Sequence, residues 1–279
     1  MVVFAANPSA FSTSETNHGV EAAARKRRFL LNIVSLDESD MDSVKARVRM
    51  GLSIRPAGVI VYEYDRAGIA ALEYIPKDMP MVVVGGSFGD GEYQVINAER
   101  DGGRWMTMHL LDLGHRTVFH VGRPEGPTDN TRTNGWRDAL KERGVTAPDP
   151  IIVPDDDLEE SVKAGRTLGR RGDVTAIFAG NDETAIAVIR GLREVGRRVP
   201  ADVSVVGFDD RNFGAMWNPA LTSYTQNFLD MGERSFRMLF EQIQAKRAGD
   251  DAPPSQVEVV QGKPCLRASE RAYGDGEIA

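Results

Sequence analysis

Cysteine is nearly missing. Cys265 is the only one in 279 residues, so no internal disulfide can form and a reducing compartment is expected. Cys265 sits beside Pro264 in a late strand-like run and is read as a buried structural thiol rather than a reactive one. Long apolar runs are also missing. No stretch approaches the roughly 18 apolar residues of a membrane-spanning helix. The opening MVVFAANPSAF has no basic n-region and too short an apolar run for a secretory leader, so a cytoplasmic location is expected. The chain enters the strand-like VVFAA at once, as a fragment cut close to a domain boundary would. A basic excess is lacking as well: 34 Lys and Arg stand against 41 Asp and Glu, a net charge of −7. Affinity for nucleic acid comes mainly from clustered cationic side chains, so these residues are not expected to touch DNA themselves.

Several chemistries are absent with their signatures. No GxxxxGK[ST] loop provides a phosphate cradle, and GGSFGDG at 85–91 does not match the dinucleotide pattern GxGxxG. There is no HExxH, GxSxG or paired CxxC. The four His are scattered, and His115, in LGHRT, is read as a turn or cap residue. No catalytic group, metal site or cofactor is expected, and no enzyme.

What the sequence does have is alternation. Short, continuously apolar, β-branched runs (Val2 to Ala5, Phe29 to Val34, Gly58 to Tyr62, Met81 to Val84, Thr117 to Val121, Ile151 to Val153, Val174 to Ala179, Val203 to Phe208) are separated by amphipathic helical stretches. Continuous apolarity suits parallel strands covered on both faces. Residues 182–195 place Ile186, Ile189, Leu192 and Val195 along one side, with Asn181 as N-cap and Gly196 just past the end. Residues 99–113 end likewise at Gly114. Repeated β–α units predict right-handed crossovers and an open, doubly wound α/β sheet.

The number of such units exceeds one ordinary sheet, so two α/β lobes are expected. Two extended stretches, 92–97 (EYQVIN) and 221–226 (LTSYTQ), are candidate crossovers between them. Interleaved lobes of this kind imply hinges and an intervening cleft, and open α/β sheets bind ligands at the carboxyl ends of their strands. VPADVSVVGFDD at 199–210 ends a core strand on two acids, Asp209 and Asp210. One of them could serve a ligand and the other a turn.

LLDLGHRTVFHVG (110–122), TDNTRTNGW (128–136), VTAIFAGNDETAIAVIRGLREVGRRVPADVSVVGFDD (174–210) and NPALTSYTQNFLDMG (218–232) resemble the effector-binding core of the LacI/GalR (lactose/galactose repressor) family of bacterial transcription regulators. The resemblance runs from the first strand to about Ala272. It implies two interleaved doubly wound parallel-sheet lobes of the periplasmic-binding-protein-like type I. Residues 1–97 and 228–254 would form the N-terminal lobe, 98–227 and 255–272 the C-terminal lobe, and 273–279 a disordered tail. It also implies a homodimer, a small polar effector such as a carbohydrate in the cleft, and operator DNA reached only through a helix-turn-helix that these residues do not supply.

The same resemblance supplies the candidate contacts. Asp209 matches the strand-end carboxylate that accepts effector hydroxyls, Arg132 a forked donor, and Asn181 the asparagine of the AND motif, whose roles are ligand contact, helix cap or both. Gln226 matches a polar crossover residue and Thr128 a small polar one. Phe11, Ser12 and Thr13 stand in the first loop (NPSAFST, residues 7–13). Alanine at Arg132 or Asp209 is expected to abolish effector affinity and keep the fold. Two departures bear on the ligand: Gly85-Gly86 stands where relatives commonly carry an Asp, and Asp155-Asp156-Asp157 where some carry an aromatic platform. The alternatives are a solute-binding protein of a sugar ABC transporter and an enzyme on the same scaffold.

Overall fold

The computed structural model describes residues 1–37, 39–86, 93–124, 128–154 and 157–274. In chain order the first elements are β1 (Val2–Ala5), α1 (Phe11–Lys26), β2 (Asn32–Ser35), α2 (Met41–Ser53), β3 (Val59–Tyr62), α3 (Arg66–Leu72), β4 (Met81–Val84) and β5 (Gln94–Asn97). They are followed by α4 (Glu99–Asp112), β6 (Phe119–Gly122), α5 (Arg132–Glu142), β7 (Ile151–Ile152), α6 (Leu158–Gly169), β8 (Ala176–Ala179), α7 (Asp182–Glu194) and β9 (Ser204–Val206). The chain ends through α8 (Asn212–Met216), β10 (Ser223–Thr225), α9 (Phe228–Ala248), β11 (Val257–Val260) and β12 (Lys263–Cys265).

These elements form two units. The first holds residues 1–97, Thr128 and 227–261; the second holds most of 98–226 and the chain from Gly262 on. In the first, a six-stranded sheet runs β11-β5-β4-β3-β1-β2 with every pairing parallel. Alternate strand residues enter different cores. Val3, Ile60 and Val82 meet Val20 of α1 and Met231, Leu239 and Ile243 of α9. Val2, Phe4, Val59 and Val61 meet Val44 and Val48 of α2 and Ala67 and Ala71 of α3. Both faces are covered, which is why the strands read as unbroken apolar runs.

The second unit repeats the plan on a four-stranded parallel sheet, β7-β6-β8-β9. Phe119, Val121, Ile177 and Val205 pack on Leu168 of α6 and on Val188, Ile189 and Leu192 of α7. Val118, Phe178, Val206 and Phe208 pack on Met106 and Leu110 of α4 and on Trp136 and Leu140 of α5. An antiparallel pair, β10-β12, adjoins it, tied to the sheet by the Val206–Thr222 and Asp209–Thr225 bridges. Asn181 caps α7 by accepting from the Thr184 N–H at 2.8 Å, and Gly196 and Gly114 take the left-handed φ of +81° and +91° that ends a helix cheaply.

Two expected boundaries shift. Residues 255–261 belong to the first unit, because β11 pairs in parallel with β5 from Val257–Gln94 to Val260–Asn97. The last passage of the chain between units therefore falls at Gly262. Asn227 also moves to the first unit, as the cap that accepts from the Asp230 N–H. Tyr273, expected in a disordered tail, is instead held in the second unit: its N–H donates to Leu113 O at 2.8 Å and its ring lies 5.7 Å from that of His115, while 275–279 lie outside the described residues. His115 is a buried hub rather than a turn residue. Its ring nitrogens lie within 3.2 Å of Thr175 Oγ1, Ser204 Oγ and Arg271 O, and burial lowers its pKa.

Candidate functional site

In the second unit the chain leaves β9 through Gly207 and the buried Phe208, then turns at Asp209 and Asp210. Both take positive φ, 91° and 52°, a region that costs a non-glycine residue of order 1–3 kcal/mol and that Asp tolerates better than most. Three backbone donations hold the turn: Asp209 N–H to Tyr224 O at 2.9 Å, Asp210 N–H to Ser223 Oγ at 3.0 Å, and Arg211 N–H to Asp182 Oδ2 at 2.6 Å. The turn stands at the carboxyl end of β9, where open α/β sheets present their ligand groups.

Arg132 is the first residue of α5, whose cap Thr131 accepts from the Asn134 N–H at 3.1 Å. A cation at a helix N-terminus is electrostatically unfavourable, and this one is buried. Its surroundings answer both problems. Its Nη2 donates to Asp209 Oδ1 at 2.9 Å, Glu99 approaches Nε and Nη2 at 3.3 Å, and Nη1 donates to Gly180 O. The guanidinium lies 4.1 Å over the Phe208 ring, a contact of cation–π type. Gln226, next after β10, donates from Nε2 to the same Asp209 Oδ1 at 2.7 Å. Its Oε1 is buried with no hydrogen-bond partner among the described residues.

The tertiary structure thus brings Arg132, Asp209 and Gln226 into one hydrogen-bonded group, with Asn181 adjoining it through Gly180. The Asn181 side-chain oxygen is spent on the α7 cap. Asp210 keeps apart from the group: its carboxylate pairs with Arg267 at 2.6 Å. The remaining candidates belong to the first unit. Phe11 meets the Phe228 ring edge-on at 5.8 Å, Ser12 O accepts from Thr16 Oγ1 at 2.7 Å, Thr13 is buried in the first turn of α1, and Thr128 Oγ1 donates to Gly86 O at 3.1 Å. Of the three-acid run, Asp155 and Asp156 lie outside the described residues, and Asp157 caps α6 by accepting from the Glu160 N–H at 3.0 Å. Most of 85–91 likewise lies outside them. Cys265 is half-buried, with burial pushing its thiol pKa up.

Sequence reasoning missed Glu99, Phe208, Asp182 and Ser223. Each carried a partial signal: Glu99 opens a legible helix, Asp182 follows the cap Asn181, and Phe208 and Ser223 stand in recognised extended stretches. None of these signals says that the four surround Arg132 and the Asp209 turn.

Residues 107–269 match the family described as periplasmic binding protein-like domain. Over 253 residues the chain is 30% identical to the HTH-type transcriptional repressor PurR of Yersinia enterocolitica, covering 88% of this chain and 72% of that protein. Among solved structures, a dimeric Lac repressor superposes with a TM-score of 0.83 at 24% identity, covering 98% of this chain and 99% of that one. The complex of the transcriptional regulator CelR with cellobiose superposes at 0.82 with 26% identity, covering 96% and 84%. No helix among the described residues is long and apolar enough to cross a membrane. These relatives are regulators, which favours ligand sensing in transcription control over solute transport or enzymatic turnover. The chain belongs to the LacI/GalR family of transcriptional regulators and is an effector-binding domain of that family.

Proposed function

We propose that this domain binds a neutral, hydroxyl-rich small molecule, a carbohydrate in the first instance, and that binding changes the affinity of the whole regulator for operator DNA. The observation that carries the reading is the fixing of Asp209 at a strand end. Arg132 and Gln226 both donate to its Oδ1, which leaves Oδ2 as the acceptor for a ligand hydroxyl. An ionised acceptor makes roughly twice as strong a bond as a neutral one. Gln226 Oε1 offers a second acceptor, and the cellobiose carried by the CelR neighbour is a ligand of the same chemistry. Phe11, Ser12, Thr13, Thr128 and Asn181 are the further proposed contacts. The reading includes a cytoplasmic homodimer that reaches DNA through another domain, with a coupling between effector and operator of about 1–3 kcal/mol.

A thermal-shift screen against sugars, sugar phosphates, polyols and nucleobases tests this. A ligand at a hundred times its dissociation constant adds about 2.7 kcal/mol of stability. The expected hit is a neutral sugar or polyol whose stabilisation shrinks in Asp209→Asn and Gln226→Ala. Failure of every compound, or a hit indifferent to both substitutions, removes the assignment.

A further inference from the structure

Asp182, the first residue of α7, is fully buried and has no part in the proposed ligand contacts. Both of its carboxylate oxygens are engaged by the segment that follows β9. Oδ2 accepts from the Arg211 N–H at 2.6 Å, and Oδ1 accepts from Ser223 Oγ at 2.6 Å. Ser223 Oγ in turn accepts from the Asp210 N–H at 3.0 Å. One carboxylate therefore grips the backbone on the far side of Asp209 directly and through a serine relay. The packing leaves no slack, because a Cβ at Gly207 would collide with Asp182 Oδ1. The segment so held contains the two positive-φ aspartates, a conformation that persists only where its surroundings impose it.

We propose that Asp182 is the positioning residue of the candidate site: by bracing residues 207–211 through Arg211 and Ser223 it fixes the direction of the Asp209 carboxylate, and the brace responds to protonation. This rests on Asp209 being the effector acceptor only for its functional meaning; the brace itself is a property of the second unit.

The charged groups around Asp182 explain the response. Glu183 lies beside it on α7 and pairs with Arg211 at 2.5 Å. The turn contributes Asp209 and Asp210, the latter paired with Arg267. Ser223 of β10 and Gly214 of α8 bring no charge. Burial, reinforced by Asp209 and Asp210, pushes Asp182 up to about 7 against the hydrogen bonds from Ser223 and Arg211. Opening the turn hydrates the group and returns it toward the ordinary aspartate value of 3.8. The closed turn thus binds the proton more tightly than the open one. Its stability is full below the open-state value and is lost as pH rises toward 7, the opening constant growing by up to about tenfold per pH unit in that window.

The test is amide and guanidinium hydrogen exchange by NMR on the intact chain, corrected for the intrinsic pH dependence of exchange. In the parent protein, protection of the Arg211 amide is expected to fall between pH 5 and 7 (about 4 to 7 being the linkage window). Asp182→Asn, isosteric and non-titrating, keeps the Arg211 bond through its single oxygen, reverses the Ser223 contact so that its amide donates to Ser223 Oγ, and gives a flat profile. Asp182→Ala loses Arg211 protection at every pH and also loses the slowly exchanging Arg132 side-chain protons that Asp209 shields. An Asp182→Ala protein that is folded and keeps both protections overturns the brace, and an Asp182→Asn profile as steep as the parent's overturns the protonation response. Neither readout involves an effector, so failure of the effector reading leaves both unmoved.

Discussion

Arg132 and Asp209 are 77 positions apart and meet at 2.9 Å, each side chain about one-tenth exposed. Burying such a pair is worthwhile only when further partners share its hydrogen bonds and charge, and here Glu99, Gly180 O and Gln226 supply them. The pair therefore has a structural role as well as its proposed binding role.

The first prediction concerns that double role. Arg132→Ala strands the Asp209 carboxylate and is expected to destabilise the protein by about 3–5 kcal/mol, measured by urea denaturation, rather than leave the fold untouched as the sequence suggests. Asp209→Asn keeps acceptors for Arg132 and Gln226 and is expected to cost less than half as much. It should weaken binding of the screened effector roughly ten- to a hundredfold, the worth of a bond to a charged group. A larger stability loss in Asp209→Asn than in Arg132→Ala would refute the assignment of roles.

A second prediction concerns the seat of Arg132. Helices α4 and α5 cross where Gly103 faces the Arg132 backbone and Gly135 faces Arg100 O, so close that a Cβ at either position would collide. Gly135→Ala is expected to push α5 off α4 at a cost of about 1–3 kcal/mol and to weaken effector binding through Arg132. Calorimetric affinity unchanged in a measurably destabilised Gly135→Ala protein would separate the crossing from the site.

The third prediction is a pH dependence of stability. His120 is fully buried between Trp136 and Phe178, whose rings lie 5.2 and 4.9 Å away. Phe178 O and Thr133 Oγ1 serve its two nitrogens at 2.8 and 3.0 Å. Burial pulls its pKa from 6.5 down to about 4. The unfolded chain takes up this proton first, so the contribution is complete above pH 6.5 and is lost as pH falls toward 4. Melting temperatures of His120→Gln against the parent should converge as pH falls from 7 to 4.5. A constant gap would mean that the ring titrates normally in the fold.

Fourth, Trp136 is wholly buried and donates from Nε1 to Val118 O at 2.8 Å. Trp136→Phe leaves that carbonyl unserved and is expected to cost about 1–3 kcal/mol; Trp136→Ala adds a cavity, for about 3–5 kcal/mol. Equilibrium unfolding followed by circular dichroism ranks the two, and equal losses would show that the cavity closes.

Much of the fold was legible in the sequence because its signals are local. A strand covered on both faces needs an unbroken apolar run such as Val59 to Tyr62, and a helix needs a cap such as Asn181 and an exit such as Gly196. Asp209 stood out because an acid ending a core strand demands a reason. Glu99, Asp182 and Ser223 did not stand out, since an acid in a first helical turn, or a serine in a strand, is ordinary until its neighbours are known. The allegiance of Val257–Val260 was misjudged for the same reason: a strand's sequence does not name its partner, and here the partner was the open edge of β5.

The sequence alone determined the alternation of apolar runs and capped helices, and with it a doubly wound α/β architecture, because propensity, capping and burial period act over a few residues. The tertiary structure decided which strand ends lie together, and so placed an arginine, an aspartate and a glutamine from three separate segments in one hydrogen-bonded group. The physical reason is range: a buried charge is tolerated only through partners that satisfy its hydrogen bonds, and the chain can bring those from any distance along its length.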